Sequence, residues 1–152
     1  MIEILDGDAR DVAGIMLVMN DAFDPQFGEA WTAAQCIALL SLPQNQLLLA
    51  RRNNAIVGFA MTRWVLDEEE LLMIAVARNE QRQNIGELLL RAVRNEAADG
   101  GRKKLFLEVR CSNPAHHFYL RHGFEEVGRR KGYYRGNMGQ NFDAITMTLE
   151  II

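Results

Sequence analysis

LLMIAVARNEQRQNIGELLLRAV, residues 71–93, is the stretch from which the fold is read. LLMIAVA (71–77) is a near-continuous apolar run, which suits a strand covered on both faces. A polar loop, RNEQRQN (78–84), follows. Ile85, Leu88, Leu89, Ala92, Val93 and Ala97 then recur at helical spacing, and Gly100-Gly101 stops the helix that they mark. LFLEV (105–109) is a second strand, so 71–109 reads as a strand, a crossover helix and a strand.

On the N-terminal side, Ile2 to Leu5 can pair as a strand, and Val12, Ile15, Met16, Met19 and Phe23 mark one helical face that Pro25 and Gly28 end. Thr32 with Gln35 reads as a capping box opening a short helix, which Pro43 ends. Gln46 to Arg52 and Ala55 to Leu66 read as a hairpin around Asn53-Asn54, a pair that tolerates positive φ. The acidic run Asp67-Glu68-Glu69-Glu70 is expected to be a solvated turn into the next strand. On the C-terminal side, Pro114 suits a helix's first turn and Gly123 closes that helix. Two strands complete the chain around 124–134 and 142–151. The order β-α-α-β-β-β-α-β-α-β-β predicts an α/β fold, a mixed sheet covered by helices.

The chain has 152 residues, 49% hydrophobic and 24% charged, which predicts one globular domain over 1–152. With 17 basic against 20 acidic side chains the net charge is −3, which argues against direct nucleic-acid binding. No apolar run has the roughly 18 residues of a membrane span, and MIEILDGDAR lacks a signal peptide's basic-then-apolar layout. Cys36 and Cys111 form no CxxC, so the expectation is a reducing cytoplasm with no metal site. His116, His117 and His122 read as surface histidines, Cys111 as a small buried thiol, and Arg129-Arg130-Lys131 as a solvated face.

A helix starting near Asn84 to Gly86 presents free N–H groups and a positive dipole end, which can hold a pyrophosphate. A strand-to-helix turn in which Gly relieves a tight bend explains the same residues. QRQNIG (81–86) resembles the Gln/Arg-x-x-Gly-x-Gly/Ala signature of the GNAT superfamily of N-acetyltransferases. LLMIAV, LFLEVR and SNPAHHFYLRHGF (112–124) are similar to the family's other landmarks, in family order. VGFAMTRWVLDEEELLMIAV (57–76), LEVRCSN (107–113), Tyr133-Tyr134 and DAITMTL (143–149) resemble the bacterial ribosomal-protein-alanine N-acetyltransferases. Two departures stand out: Asn84 replaces the loop's first Gly, and the segment from Asn113 to Tyr119 is one residue short.

The resemblance implies a mostly antiparallel sheet of about seven strands with four helices, acetyl-CoA as cosubstrate, and a protein N-terminus as acceptor. Ile74, Ala75 and Val76 would hold the pantetheine arm by main-chain bonds, with an N–H near Val76 facing the oxyanion. Arg82, Gln83, Asn84, Ile85, Gly86 and Glu87 would hold the pyrophosphate, and Asn113 would orient the cofactor. Glu108 would be the base. An α-amine with a reference pKa of about 7.7–8.0 must lose a proton before it attacks. A solvent-facing charge on an alternating strand is the plainer account of Glu108, and core packing that of Tyr119, the residue placed to protonate the leaving thiolate. A small-molecule amine acetyltransferase and a noncatalytic acyl-CoA sensor remain as alternatives. The sequence leaves the oligomeric state open.

Overall fold

The structure is a computed structural model that describes residues 1–151. Its elements are β1 (Ile2–Gly7), α1 (Val12–Ala22), α2 (Ala33–Leu40), β2 (Asn45–Arg52), β3 (Ala55–Val65), β4 (Glu68–Val76), α3 (Ile85–Asp99), β5 (Lys104–Arg110), α4 (Ala115–Arg121), β6 (Glu125–Arg135) and β7 (Asn141–Glu150). The strands form one seven-stranded sheet in the order β1-β2-β3-β4-β5-β7-β6. Every neighbouring pair is antiparallel except β4–β5, the two strands joined by α3. This is the expected mixed sheet with four helices, in the expected order.

Local chemistry explains the elements. Asn53 and Asn54 both take positive φ (52° and 68°), the backbone of a tight two-residue hairpin turn between β2 and β3. Thr32 and Gln35 form the capping box at the start of α2. Alternation along β2 sends Leu47 and Leu49 to a core with Ile15, Met19, Cys36 and Leu39 of α1 and α2. Leu48 and Ala50 point to the opposite core, which holds Ile85, Leu89, Leu90 and Val93 of α3. Each large side chain buried this way contributes roughly 1.5–3 kcal/mol. Among the described residues no helix is long and apolar enough to cross a membrane.

Two expectations are corrected. The turn before β4 is Leu66-Asp67, with Leu66 at φ 56°, because Val65 already pairs with Glu68. Glu68 to Glu70 therefore belong to the strand, and alternation drives Glu69 inward to 2% exposure. There it lies 3.6 Å from Arg102 Nε, whose guanidinium covers the Trp64 ring at 4.1 Å. Cys111 is exposed rather than buried, since it follows the last residue of β5; Cys36 is the buried thiol.

The feature that makes a site is the separation of β4 from β5. They pair only at Glu68–Lys104, Glu69–Leu105 and Glu70–Phe106. Beyond that, β4 stays on β3 as far as Val76, and β5 stays on β7 as far as Arg110. The sheet is thus split by a wedge that opens toward the C-terminal ends of both strands.

Burial raises the Glu69 pKa above its ordinary 4.5, outweighing the neighbouring Thr62 hydroxyl and the Arg102 charge that pull it down. A folded-state pKa above the unfolded one favours the neutral acid, so stability from this residue is lost as pH rises through the folded value. Glu69→Gln keeps the neutral shape at every pH. The melting temperature of the variant minus that of the wild type is expected to rise as pH increases from about 4.5 toward neutrality. A difference that falls over that range contradicts the assignment.

Candidate active site

One wall of the wedge is the free side of β4. The Ala77 N–H donates to the Val57 carbonyl at 2.9 Å, which sets the phase of the β3–β4 ladder. By alternation, the main-chain groups of Ile74 and Val76 point away from β3 and into the wedge, while those of Ala75 bond back to β3. The Val76 carbonyl accepts from Gln81 Nε2 at 3.1 Å. A cavity of about 570 Å³ runs from Ile74, Ala75 and Val76 along Gln81, Arg82, Asn84, Ile85, Gly86 and Glu87 to Phe118 of α4. Asn84 caps α3 in the left-handed region at φ 62°, without a side-chain capping bond. Arg82 is left-handed too, at φ 69°. These turns aim a row of amides outward; the N–H groups of residues 82–87 find no acceptor among the described residues. Positive φ at Asn84 is what its substitution for glycine anticipates. Gln83 is the exception in this segment: it does not line the cavity, and its side-chain oxygen accepts from Arg52 Nη2 at 2.6 Å.

The same wedge continues into a second cavity of about 350 Å³, again lined by Ile74 to Val76 and by Pro114-Ala115. Here stand Glu108, Tyr119, Tyr133 and Tyr134, together with Glu29 and Glu70. Glu108 is not a solvated surface charge, because its side chain is only 6% exposed. Its Oε2 accepts from Thr146 Oγ1 at 2.7 Å, and Arg130 Nε lies 3.3 Å from Oε1. The Arg129-Arg130-Lys131 face is solvated as expected, and from it Arg130 reaches the wall of the site. Tyr134 Oη donates to the Glu108 carbonyl at 3.0 Å. Tyr119 is buried on α4 against Phe118 and Phe124. Burial, helped by the charge of Glu29, pushes its pKa well above the ordinary 10.0. Its phenol stays protonated throughout the neutral range.

Two charged residues here have no signal in the sequence. Glu29, in the loop between α1 and α2, and Arg110, at the end of β5, form an ion pair with side chains 9% and 7% exposed. Asn113, expected to face the cofactor, lines the cavity with its amide engaged at both ends. Its Nδ2 donates to Glu29 at 2.7 Å, and its Oδ1 accepts from the Ala115 N–H at 2.8 Å. The α1–α2 loop also meets the β6–β7 loop. Phe27 packs edge-on against Phe142 at 5.3 Å, and Gly28 lies so close that a Cβ would sit 1.9 Å from the Arg135 carbonyl oxygen. Gly136 abuts the Gln26 carbonyl in the same way, at 2.3 Å. His116 is bonded to Glu126, and among the described residues no cluster of His, Cys, Asp or Glu can hold a metal ion.

Comparison with known proteins agrees with this geometry. The pattern of the acetyltransferase (GNAT) family matches residues 16–124. A [ribosomal protein bS18]-alanine N-acetyltransferase of Haemophilus influenzae is 41% identical over 95 residues, 62% of this chain and 65% of that protein. Its counterpart from Escherichia coli K12 is 42% identical over 101 residues, 66% of this chain and 68% of its own length. The crystal structure of the ribosomal-protein-S18-alanine N-acetyltransferase from Escherichia coli superposes with a TM-score of 0.87 at 31% identity, covering 99% of this chain and 94% of that one. A family pattern that spans the wedge, the amide-lined loop and α4 leads to one conclusion: the chain belongs to the acetyltransferase (GNAT) family, a family of N-acetyltransferases.

Proposed function

We propose that residues 1–152 form a single acetyl-CoA-dependent N-acetyltransferase domain whose acceptor is the N-terminal α-amine of a protein, of the ribosomal-protein-alanine type. The observation that carries this reading is Glu108, a nearly dry carboxylate in a cavity continuous with a row of free amides. The likeness to the bS18-alanine enzymes supports the choice of acceptor. A reducing, cytoplasmic setting belongs to the same reading. Nothing in it calls for nucleic acid or membrane.

The chain fits the cofactor by its own chemistry. The amides of Arg82, Asn84, Ile85, Gly86 and Glu87, with that of Gln83 between them, suit a pyrophosphate at the positive end of α3. The wedge-facing main-chain groups of Ile74 and the Val76 N–H suit the amides of a pantetheine arm, as an added strand would, with Ala75 as the wall between them and the Val76 carbonyl held by Gln81. Asn113 acts on the cofactor indirectly, by fixing the start of α4 beside it. When bound, acetyl-CoA supplies an activated acetyl thioester.

Glu108 takes one proton from the incoming ammonium, directly or through water. The freed nitrogen lone pair bonds to the acetyl carbon as the carbon–sulfur bond breaks. The Val76 N–H faces the acetyl oxygen, where negative charge builds. Tyr119 gives its phenolic proton to the departing sulfur; the second proton shed by the acylated nitrogen restores the Tyr119 phenol, and Glu108 releases the first to solvent. Thr146 and Arg130 hold Glu108 in place, and because the Arg130 side chain is 62% exposed, solvent screening tempers how far its charge weakens the base. The reading is tested by thiol release from acetyl-CoA with a panel of N-terminal peptides and small amines. Turnover on N-terminal peptides is expected. Activity confined to small amines rejects the protein acceptor, and binding without turnover on any amine points to a sensor.

Glu108→Gln keeps the shape and removes the base, so kcat/KM near neutral pH is expected to fall roughly 10²-fold or more with acetyl-CoA affinity unchanged. Wild-type rates from mildly acid to mildly alkaline pH rule out that role. Tyr119→Phe is expected to slow turnover with acetyl-CoA and to be partly rescued by an acetyl thioester of a less basic thiol; equal losses with both point to packing alone. For the loop, Asn84→Gly is expected to bind coenzyme A as tightly as the wild type or slightly tighter. Asn84→Val, which resists φ 62°, should bind about tenfold more weakly in calorimetric titration. A valine variant that is folded and binds normally moves the pyrophosphate off this loop.

A further inference from the structure

The buried ion pair between Glu29 and Arg110 is not needed to explain the chemistry above, yet it joins three separate parts of the site. Glu29 belongs to the loop that covers the acceptor cavity, between α1 and α2. Its Oε1 lies 3.3 Å from Arg110 Nε at the end of β5, two residues beyond Glu108. Its Oε2 accepts from Asn113 Nδ2 at 2.7 Å. The other end of the Asn113 amide accepts from the N–H of Ala115 at 2.8 Å, and Ala115 is the first residue of α4. Tyr119 follows one helical turn later. Arg110 meanwhile stacks on the Phe27 ring at 3.6 Å, so the same guanidinium grips the loop at a second point.

We propose that Glu29 is a positioning residue: it couples closure of the α1–α2 loop over the acceptor to the placement of Tyr119, through Asn113 and the first turn of α4. This rests on the reading of Tyr119 as the acid. The polarity of the two contacts makes the coupling specific to a carboxylate. Glu29 pairs by charge with the Arg110 guanidinium on one side and accepts a hydrogen bond from Asn113 on the other. An amide there presents an N–H either to Arg110 or to Asn113 Nδ2, a donor facing a donor. Asn113 can relieve the second clash only by turning its own amide over, which removes the acceptor from the Ala115 N–H and releases the start of α4. Within a site this dry, few waters can compensate.

That logic provides its own rescue. Glu29→Gln loses the pattern, and Asn113→Asp sets two carboxylates against each other. In the double variant the introduced amide donates to the introduced carboxylate, whose second oxygen still accepts from the Ala115 N–H. The donor–acceptor order is thereby restored with the partners exchanged. The experiment measures kcat and KM for an N-terminal alanine peptide with acetyl-CoA, coenzyme A binding by calorimetry, and the dependence of kcat on the acidity of the leaving thiol. Each single variant is expected to lose about tenfold or more in kcat/KM for the peptide, as for a small misplacement of a reacting group. Coenzyme A affinity should change less than about twofold, and the dependence on thiol acidity should steepen. The double variant should recover to within about threefold of the wild type. If Glu29→Gln melts too low to assay, Asn113→Asp against the double variant reads the same coupling. A folded Glu29→Gln enzyme with wild-type kinetics, or a double variant as slow as the product of the single losses, overturns the coupling and leaves the proposed function standing. A wild-type enzyme that turns over neither peptide nor small amine overturns both.

Discussion

Two neighbouring strands that stop pairing are the constraint on which the rest of this protein depends. In a closed sheet, the main chain of Ile74 and Val76 would bond to β5. Here the ladder ends at Glu70–Phe106, while the outer flanks of both strands remain locked to β3 and β7. An unpaired backbone amide in a dry place costs about 1–3 kcal/mol, so a gap in the middle of a sheet demands a polar guest. The wedge is held open by what surrounds it: α3 and α4 on one face, the α1–α2 loop on the other, and the Glu69–Arg102 pair near its closed end. A binding site for an amide-bearing chain is thus a property of the sheet itself, and the side chains only refine it.

Those side chains follow a common rule. Three of the four carboxylates lining the acceptor cavity have a cation beside them: Arg130 for Glu108, Arg110 for Glu29, Arg63 for Glu70; the fourth, Asp24, caps the turn at Pro25 instead. Removing water strengthens such pairs and raises the cost of breaking one. The exposed Asp8–Arg10 pair is the contrast. Arg10 holds the Asp8 carboxyl down at about 2, yet both groups stand in solvent and serve only to cap a short turn. Short distance alone does not make an ion pair consequential; dryness does.

Much of this was legible in the chain because it is local. The β4–α3–β5 crossover, the Asn53-Asn54 turn and the left-handed Asn84 each follow from periodicity or from one residue's backbone preference. The alternation of Leu105, Leu107 and Val109 against Glu108 was legible too, although only tertiary packing decides that the Glu108 face is dry. Glu29 was not legible. It lies in a loop without period, and its partners are more than 80 positions away, at Arg110 and Asn113. Glu69 misled for a related reason, since an acidic run resembles a solvated turn until the register of Val65 with Glu68 is known. The reach of Arg130 was not legible either: its neighbours in the chain are basic, but its neighbour in space is Glu108. What sequence reasoning misses is charge chemistry settled between distant segments.

The meeting of Gly28 with the Arg135 carbonyl, and of Gly136 with the Gln26 carbonyl, is backbone against backbone. At Gly28 side chains take no part in it, so substitution there has no fine adjustment to offer. Any residue larger than glycine at either place parts the two loops by whole ångströms, and no neighbouring rotamer can absorb that. A change in the roof over the acceptor therefore calls for insertion or deletion, with both loops changing length together. Relatives with different acceptors should differ here first in the spacing between landmarks, and only afterwards in the letters.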